Sequence, residues 1–441
     1  MIAGEVETAG VPSREVLKRR VRTWIGILSA YLTAQTLTQL LGVASGLLLV
    51  RALPVRELAL YTLAFSVVSF FTFVTDLGSS SSLVYFFRQA RQEGGEVAPY
   101  VAAVLSLRRA AFLLGVAAVA VAFPRAAAAK GFGGAETALA TAGIALCVWF
   151  QISASLSTLT LRLDGRYNTS YRAEITGAAV RLALTLAMIA AALLYSWLGI
   201  LASACGTAAV ALLARGRRAA VSSGVPGTPA DLSAPRRRVL RYILPTLPSA
   251  LYFSVQGPLV VWLAATFGAT RNIAEVGALS RLGMVVGIFA SLTGVVFLPR
   301  LAAITDERVY RARYFQFGAL LLAVAGALFL AALVAPRLFL MLLGGHYAGL
   351  DRELRLVVAG AGLTLLGGYA VSVNLARSWT RWETAAVLIL MACQALFVRL
   401  LPLGSTAGVL TFNLLSAAVG LSLQLIVGLT GFARPRWVHW Q

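Results

Sequence analysis

Two arginines, Arg181 and Arg281, lie inside long apolar stretches of this chain. A charged side chain at the centre of a membrane helix costs roughly 2.5 to 3.5 kcal/mol, so such a residue normally faces a cavity or a partner. A guanidinium presents its donors as a planar fork that matches the oxygens of a phosphate group. Arg181 lies about nine residues from the nearer end of its stretch, roughly 13 Å deep. Arg281 lies nearer an end, where it either points into a cavity or reaches the lipid headgroups along its stem.

A polar stripe marks the first apolar stretch. Tyr31, Gln35 and Thr38 are spaced at helical intervals, and Gly42 and Ser45 continue the same stripe. Such a stripe either lines a cavity or allows close helix packing through small and hydroxyl residues. We treat Tyr31, Gln35 and Thr38 as candidates for contact with a substrate.

Two further apolar stretches carry polar or helix-bending residues. Asp76 stands in TDLGSSSS, where it either lines a cavity or accepts hydrogen bonds where the helix frays. Gln256 is a further cavity candidate, and it precedes Gly257 and Pro258. Proline removes a backbone donor and glycine permits bending, so Gly257 and Pro258 are predicted to form a hinge or a static kink.

Motifs of hydrolytic, metal and nucleotide chemistry are absent from the sequence. It has no HExxH, no paired intramembrane aspartates and no phosphate-cradling P-loop, and His346 and His439 are its only histidines. The three cysteines lie far apart in apolar stretches, which favours core packing. We therefore expect no enzymatic activity, cofactor or metal site. A membrane-bound glycosyltransferase or polymerase remains the enzymatic alternative.

The elements that must position these residues are membrane helices. Of the 441 residues, 59% are hydrophobic, 12% are charged, and the mean hydropathy is +0.82. A bilayer core needs about 20 apolar residues as a helix, whereas a barrel strand would alternate polar and apolar residues. The sequence predicts an all-α polytopic protein with about twelve spans at 24–50, 59–86, 103–123, 137–161, 171–195, 198–214, 243–267, 275–299, 314–335, 355–376, 384–402 and 406–430.

The net charge of +21 is explained by orientation. With the N-terminus in the cytoplasm, most of the 38 Lys and Arg residues fall on the inner side, as the positive-inside rule requires. No nucleic-acid partner is needed, although attraction to anionic lipid is compatible with this charge. We expect a multi-pass protein of the cytoplasmic (inner) membrane of a bacterium or archaeon, with both termini in the cytoplasm.

A basic polar segment divides the spans six and six. We predict a basic N-terminal segment, an N-terminal lobe, a linker, a C-terminal lobe and a cytoplasmic tail, with the boundaries 1–23, 24–214, 215–241, 242–430 and 431–441. Similar patterns open spans 2 and 8, and spans 6 and 12, which indicates a duplication. An even number of spans in each lobe gives a parallel repeat, and transporters with such repeats hold substrate between the lobes.

Five segments of the sequence resemble a known family: TAQTLTQLLGVASGLLLVRAL, ELALYTLAFSVVSFFTFVTDLGSSSSLVYFF, LRLDGRYNTSYRAEITGAAVRLALTL, VLRYILPTLPSALYFSVQGPLVVWLAATFG and VVFLPRLA. The chain resembles polysaccharide transporters, or Wzx-type lipid-linked oligosaccharide flippases, of the multidrug/oligosaccharidyl-lipid/polysaccharide (MOP) superfamily. The resemblance covers nearly the whole chain and implies a MATE-like fold. It also implies alternating access for an isoprenoid-diphosphate-linked oligosaccharide, such as a polysaccharide or O-antigen repeat unit. The implied partners are membrane lipid, that substrate, and the polymerase and glycosyltransferases that use and make it.

Two alternatives on the same fold remain open. A cell-wall precursor flippase would carry a related lipid, but such proteins usually have more spans. A cation-coupled multidrug exporter of the multidrug and toxin extrusion (MATE) type would need a buried acid. The candidate acids, all near span ends, are Asp76, Glu174, Glu275 and Glu383. The sequence does not identify a coupling ion, and both H⁺ and Na⁺ are compatible with it.

Overall fold

A computed structural model describes residues 14–94, 96–222, 232–293, 297, 301, 304, 306–377, 379 and 382–433. Seven helices form the N-terminal half: α1 (Arg14–Ala52), α2 (Val55–Asp76), α3 (Ser79–Glu93), α4 (Ala98–Ala128), α5 (Gly134–Leu163), α6 (Tyr167–Ala190) and α7 (Ser196–Ser222). A short helix, α8 (Ser233–Ile243), precedes the C-terminal half. That half contains α9 (Leu247–Phe267), α10 (Thr270–Leu292), α11 (Glu307–Val334), α12 (Pro336–Leu343), α13 (Asp351–Ala376), α14 (Glu383–Leu400) and α15 (Thr406–Ala433).

The predicted membrane spans correspond to these helices. Eleven described stretches are long and apolar enough to cross a membrane. Helix α10 is not among them, and it carries Arg271, Glu275 and Arg281, yet it lies at the predicted eighth span. The all-α polytopic fold is therefore confirmed.

The second predicted span, 59–86, lies within a single candidate membrane span, Val55–Glu93, which the structure divides into two helices. Helix α2 ends at Asp76, and α3 begins at Ser79. Leu77 and Gly78 between them adopt left-handed conformations, with φ of 35° and 83°. Such a conformation is unfavourable for a leucine and costs of the order of 1 kcal/mol or more, so surrounding contacts must hold the break.

The linker is partly helical. Helix α7 continues past the predicted lobe boundary at 214 to Ser222, and residues 223–231 lie outside the described residues. Helix α8 packs Val239 and Ile243 into an apolar cluster on the N-terminal half. Arg236 and Arg238 of α8 donate to Ser106 and Tyr100 of α4. The predicted segment boundaries remain a prediction.

The two halves pack together mainly through α2, which contacts both α9 and α10. One apolar cluster, which includes Tyr61 and Leu279, runs across this contact. Apolar side chains can fill the contact without leaving polar groups unpaired, which suits the interior of a membrane protein.

Hydrogen bonds between the halves gather toward one end of the bundle. Lys130 Nζ donates to the carbonyl of Gly268 at 2.7 Å, and Thr270 Oγ1 donates to the carbonyl of Lys130 at 3.3 Å. Trp262 Nε1 donates to Ser66 Oγ at 3.1 Å. Toward the other end, the linker helix α8 makes the hydrogen bonds to α4 given above. We call the joined end, which carries the loops after α4 and α9, the closed end.

Candidate functional site

Two cavities meet along one face of α2. The central cavity, of about 870 Å³, lies between the halves and is lined by α2 and the C-terminal helices. The N-half cavity, of about 680 Å³, lies inside the N-terminal half between α2, α5, α6 and α7. Both are lined by Phe65, Ser69 and Phe73. The two cavities are therefore adjacent along this part of α2.

Arg281 lines the central cavity and packs against the opposite half. Its Cζ lies 5.5 Å from the ring centre of Tyr61 and 5.3 Å from that of Phe65. The residue is only 6% exposed. A Cβ added at Gly46 of α1 would lie 3.2 Å from Arg281 Cδ, so the missing side chain of Gly46 leaves room for the stem of Arg281. Cation–π contacts of this kind partly stabilise a desolvated guanidinium.

Arg181 approaches the same two rings from the N-terminal half. Its Nη2 donates to Tyr61 Oη at 3.3 Å, and its Cζ lies 5.6 Å from the ring centre of Phe65. Arg181 lines the N-half cavity, and its Nε is buried without a hydrogen-bond partner among the described residues. The two arginines predicted from separate spans thus converge on Tyr61 and Phe65, one from each half.

Neither arginine forms an ion pair with a described residue. The ion pairs of the described chain instead join Arg56 to Glu57 and Glu136, Arg91 to Asp164, Arg108 to Asp76, Arg162 to Glu174, and Arg271 to Glu275. Two positive charges near each other in a low-dielectric site attract an anion more strongly than the same charges in water. The arrangement is suited to an anionic ligand at the junction of the two cavities.

Asp76 lies outside both cavities, at the end of α2. It is absent from the linings of both cavities, and its Oδ1 accepts hydrogen bonds from Ser79 and Ser80 at 3.1 and 2.7 Å. It also pairs with Arg108 of α4. Of the two roles left open for Asp76, these contacts favour the second: its carboxylate accepts hydrogen bonds where α2 ends, at the break before α3.

The stripe on α1 reaches the N-half cavity at one residue. Thr38 lines that cavity, and its Oγ1 is buried without a partner among the described residues. Gln35 lines neither of these two cavities, and its contact with a substrate stays a prediction. The side chain of Tyr31 lies outside the described residues. Ser45 and Thr185 hydrogen-bond at 3.0 Å, so the stripe also serves packing between α1 and α6.

The three candidates on α9 line the central cavity. Gln256 exchanges two hydrogen bonds with Gln394 of α14, at 3.2 and 2.9 Å. Gly257 and Pro258 lie beside it on the cavity wall, and α9 remains one helix through both of them. Their role as a hinge stays a prediction.

Sequence reasoning missed Arg108, Tyr61 and Phe65. Arg108 lies six residues into the predicted span 103–123, so the rule that selected Arg181 applied to it equally. Tyr61 and Phe65 are one helical turn apart, and nothing in that spacing distinguishes an aromatic pair that two arginines approach from ordinary core residues.

The four candidate acids have different partners. Asp76, Glu174 and Glu275 pair with arginines, Glu174 at 2.5 Å from Arg162 Nη2. Glu383 lines the central cavity at the start of α14 and accepts a hydrogen bond from Gln424 Nε2 at 3.1 Å. Of the four, only Glu383 has no arginine partner in the described part of the chain.

Comparison with solved structures identifies the class of fold. No family model matches the chain, and no curated protein matches it. A multidrug-resistance MATE-family transporter of the MOP superfamily, in an inward-facing conformation, superposes with a TM-score of 0.63 at 18% identity, covering 90% of this chain and 96% of that one. The lipid II flippase MurJ, in an inward closed conformation, gives 0.71 at 14% identity, covering 91% and 88%.

A third similar structure is a MOP-superfamily transporter from Pyrococcus furiosus, described as having a binding pocket of reversed polarity. It gives a TM-score of 0.55 at 16% identity and covers 93% of this chain and 96% of that one. The protein is therefore a multi-pass membrane protein with the fold of MOP-superfamily transporters. The predicted superfamily fold is confirmed, and sequence identities of this size extend the likeness no further than the fold.

Proposed function

We propose that this protein is a flippase that moves an isoprenoid-diphosphate-linked oligosaccharide across the cytoplasmic membrane by alternating access. The observation that carries the proposal is the convergence of Arg181 and Arg281 on Tyr61 and Phe65 without an ion-pair partner among the described residues. A diphosphate supplies the missing negative charge, and each guanidinium can bind its oxygens through two parallel hydrogen bonds.

The origin of the two arginines explains how binding would drive the transport cycle. Arg181 belongs to the N-terminal half and Arg281 to the C-terminal half, so a diphosphate held by both joins the halves. A ligand changes a conformational equilibrium only if it binds one state more tightly than the other. A diphosphate that bridges the halves meets this requirement, because its contacts change when the halves rock.

The positive-inside rule gives the described state a direction. It places the loops of the closed end on the outer side of the membrane. The central cavity extends away from that end toward Phe253 and Glu383, near the starts of α9 and α14. In this orientation the cavity is open to substrate that glycosyltransferases make at the cytoplasmic face. Substrate released on the outer side would then be used by a polymerase.

The two alternatives differ in what they need from the site. A cell-wall precursor flippase would use the same arginines. The similarity to the fold of MurJ, a lipid II flippase, is as compatible with that function as with an oligosaccharide flippase. A cation-coupled multidrug exporter would need a free acid in the cavity, for which Glu383 is the candidate. A pair of arginines repels amphipathic cations, which favours the lipid-linked substrate.

The test measures the lipid-linked sugar pool and the surface polysaccharide of a deletion strain that lacks other transporters of this kind. We expect undelivered lipid-linked oligosaccharide to accumulate and surface polymer to be lost, and the intact gene to restore both. Arg181→Ala and Arg281→Ala should fail to restore them at near-normal protein abundance. Arg399→Ala, which changes an exposed arginine outside both cavities, is the matched control and should restore them.

Three results would contradict the proposal or part of it. A normal lipid pool and normal polymer in the deletion strain would refute it. Efflux of cationic drugs that Glu383→Gln abolishes would establish the exporter instead. Lost abundance of the Arg181 variant would assign that residue to folding.

A further inference from the structure

We propose that the N-half cavity binds the sugar portion of the substrate, while the lipid portion occupies the central cavity. This inference rests on the proposed function and divides the substrate between two compartments that meet at the two arginines. It assigns a carbohydrate site to a cavity lined by one half of the protein.

The linings of the two cavities differ in chemistry. Apolar side chains dominate the wall of the central cavity, including Phe253, Val286, Leu390 and Leu421. More than half of the residues that line the N-half cavity are polar, and they come from six helices of one half: Thr38, Ser69, Thr72, Ser80, Gln151, Ser155, Thr158, Arg162, Glu174, Arg181, Ser203 and Thr207. An isoprenoid chain suits the first wall, and a molecule rich in hydroxyl groups suits the second.

Several polar groups on the wall of the N-half cavity lack partners. Thr38 Oγ1 and Arg181 Nε are buried and make no hydrogen bond with any described residue. Gln151 also lines this cavity and is half-buried, and no hydrogen bond joins its side-chain amide to another described residue. Burying such groups without partners is unfavourable, so an unpaired set on one wall calls for water or a ligand to satisfy it. Sugar hydroxyls both donate and accept, so they can pair with an amide, a hydroxyl and a guanidinium at once.

Two further hydroxyls on that wall, those of Thr158 and Thr207, are oriented to accept. Thr158 and Thr207 donate to the backbone carbonyls of Ala154 and Ser203, each at 2.9 Å. Each hydroxyl hydrogen is therefore already used in a hydrogen bond. Each hydroxyl oxygen can still accept a hydrogen bond from a donor in the cavity. Together with the donors of Gln151 and Arg181, the wall offers both the donors and the acceptors that sugar hydroxyls need.

The order of the compartments matches the order of groups in the substrate. Arg281 lines the central cavity and Arg181 lines the N-half cavity, and Phe65 lies in contact with both arginines. A lipid in the central cavity therefore places its diphosphate at the arginines and its sugar beyond them. The volume of about 680 Å³ falls within the range of roughly 300 to 1,000 Å³ usual for small-molecule sites.

The experiment compares the binding of two probes to the purified full-length protein in lipid nanodiscs. One probe is a polyisoprenyl diphosphate, and the other is the same lipid carrying a neutral oligosaccharide. Gln151→Leu should weaken binding of the glycosylated lipid about five- to tenfold, because a hydrogen-bonding amide is lost. It should leave binding of the bare lipid unchanged, and Thr207→Val should act in the same direction. Gln316→Leu, which removes an exposed amide outside both cavities, is the matched control.

Each outcome separates this inference from the proposed function. If neither probe binds to the intact protein, the proposed function fails. If both bind and Arg281→Ala weakens both, but Gln151→Leu and Thr207→Val weaken neither, the proposed function stands and the sugar site is overturned. Equal weakening of both probes by Gln151→Leu also overturns it, because the cavity would then not recognise the sugar. If Gln151→Leu does not fold, Thr207→Val decides the question on the same criteria.

Discussion

Replacing Arg108 by methionine should destabilise the protein by about 3 kcal/mol. Arg108 is 2% exposed and donates to Ser79 Oγ, Ser155 Oγ and Ser80 Oγ at 2.7, 2.9 and 2.8 Å, besides its ion pair with Asp76. Removing one partner of a buried ion pair typically costs 3 to 5 kcal/mol. The lower end applies, at about 3 kcal/mol, because the side chain of Asp76 is 36% exposed and water can partly solvate it.

The neighbouring arginine provides the control. Arg109 is exposed, and its one described contact is a cation–π approach of 5.9 Å to Trp149, so Arg109→Met should cost only about 0.5 to 1 kcal/mol. The free energy of unfolding is measured for both variants by denaturant titration in mixed micelles. Asp76→Asn combined with Arg108→Met should cost clearly less than the sum of the single changes, because no charge is then left unpaired. Equal destabilisation by Arg108→Met and Arg109→Met, or strictly additive costs, would refute the role assigned to the pair.

The remaining predictions concern the closed end. Gly277→Ala places a methyl group against Thr62 Oγ1, so it should force the halves apart there, whereas Gly287→Ala meets nothing within 4 Å and should not. Distances between spin labels across the closed end would test this, and equal distances in the two variants would contradict it. Lys130→Met removes the 2.7 Å hydrogen bond to the Gly268 carbonyl and should raise the population with a parted closed end by up to about tenfold. An unchanged distribution of label distances would show that this bond does not hold the closed end.

The helices of this fold could be predicted from the sequence because the bilayer restricts the possibilities. Backbone groups in hydrocarbon must be satisfied within the segment, so a long apolar stretch has to be a helix. For the same reason, the sequence did not predict the break at Leu77 and Gly78. An aspartate, a glycine and four serines in one apolar stretch are compatible with a continuous helix, and the partner that stabilises the break lies on another helix.

The candidate site could be predicted only in part. Arg181 and Arg281 could be predicted because charged residues are rare inside a membrane. Their contacts with Tyr61 and Phe65 depend on the tertiary structure and could not be predicted from spacing along the chain. The stripe that contains Gln35 shows a second limit, because helical spacing fixes a face of α1 and does not fix what that face contacts.

The contact of Arg281 with the N-terminal half has a consequence for how the protein is made. A ribosome synthesises α1 and α2 well before α10, so Gly46, Tyr61 and Phe65 are already in the bilayer when α10 enters it. An unaccompanied arginine enters lipid at a cost of a few kcal/mol, and this earlier surface accommodates its stem and its charge. We therefore expect α10 to insert more readily once α1 and α2 are in place, because Arg281 then has Gly46, Tyr61 and Phe65 to pack against.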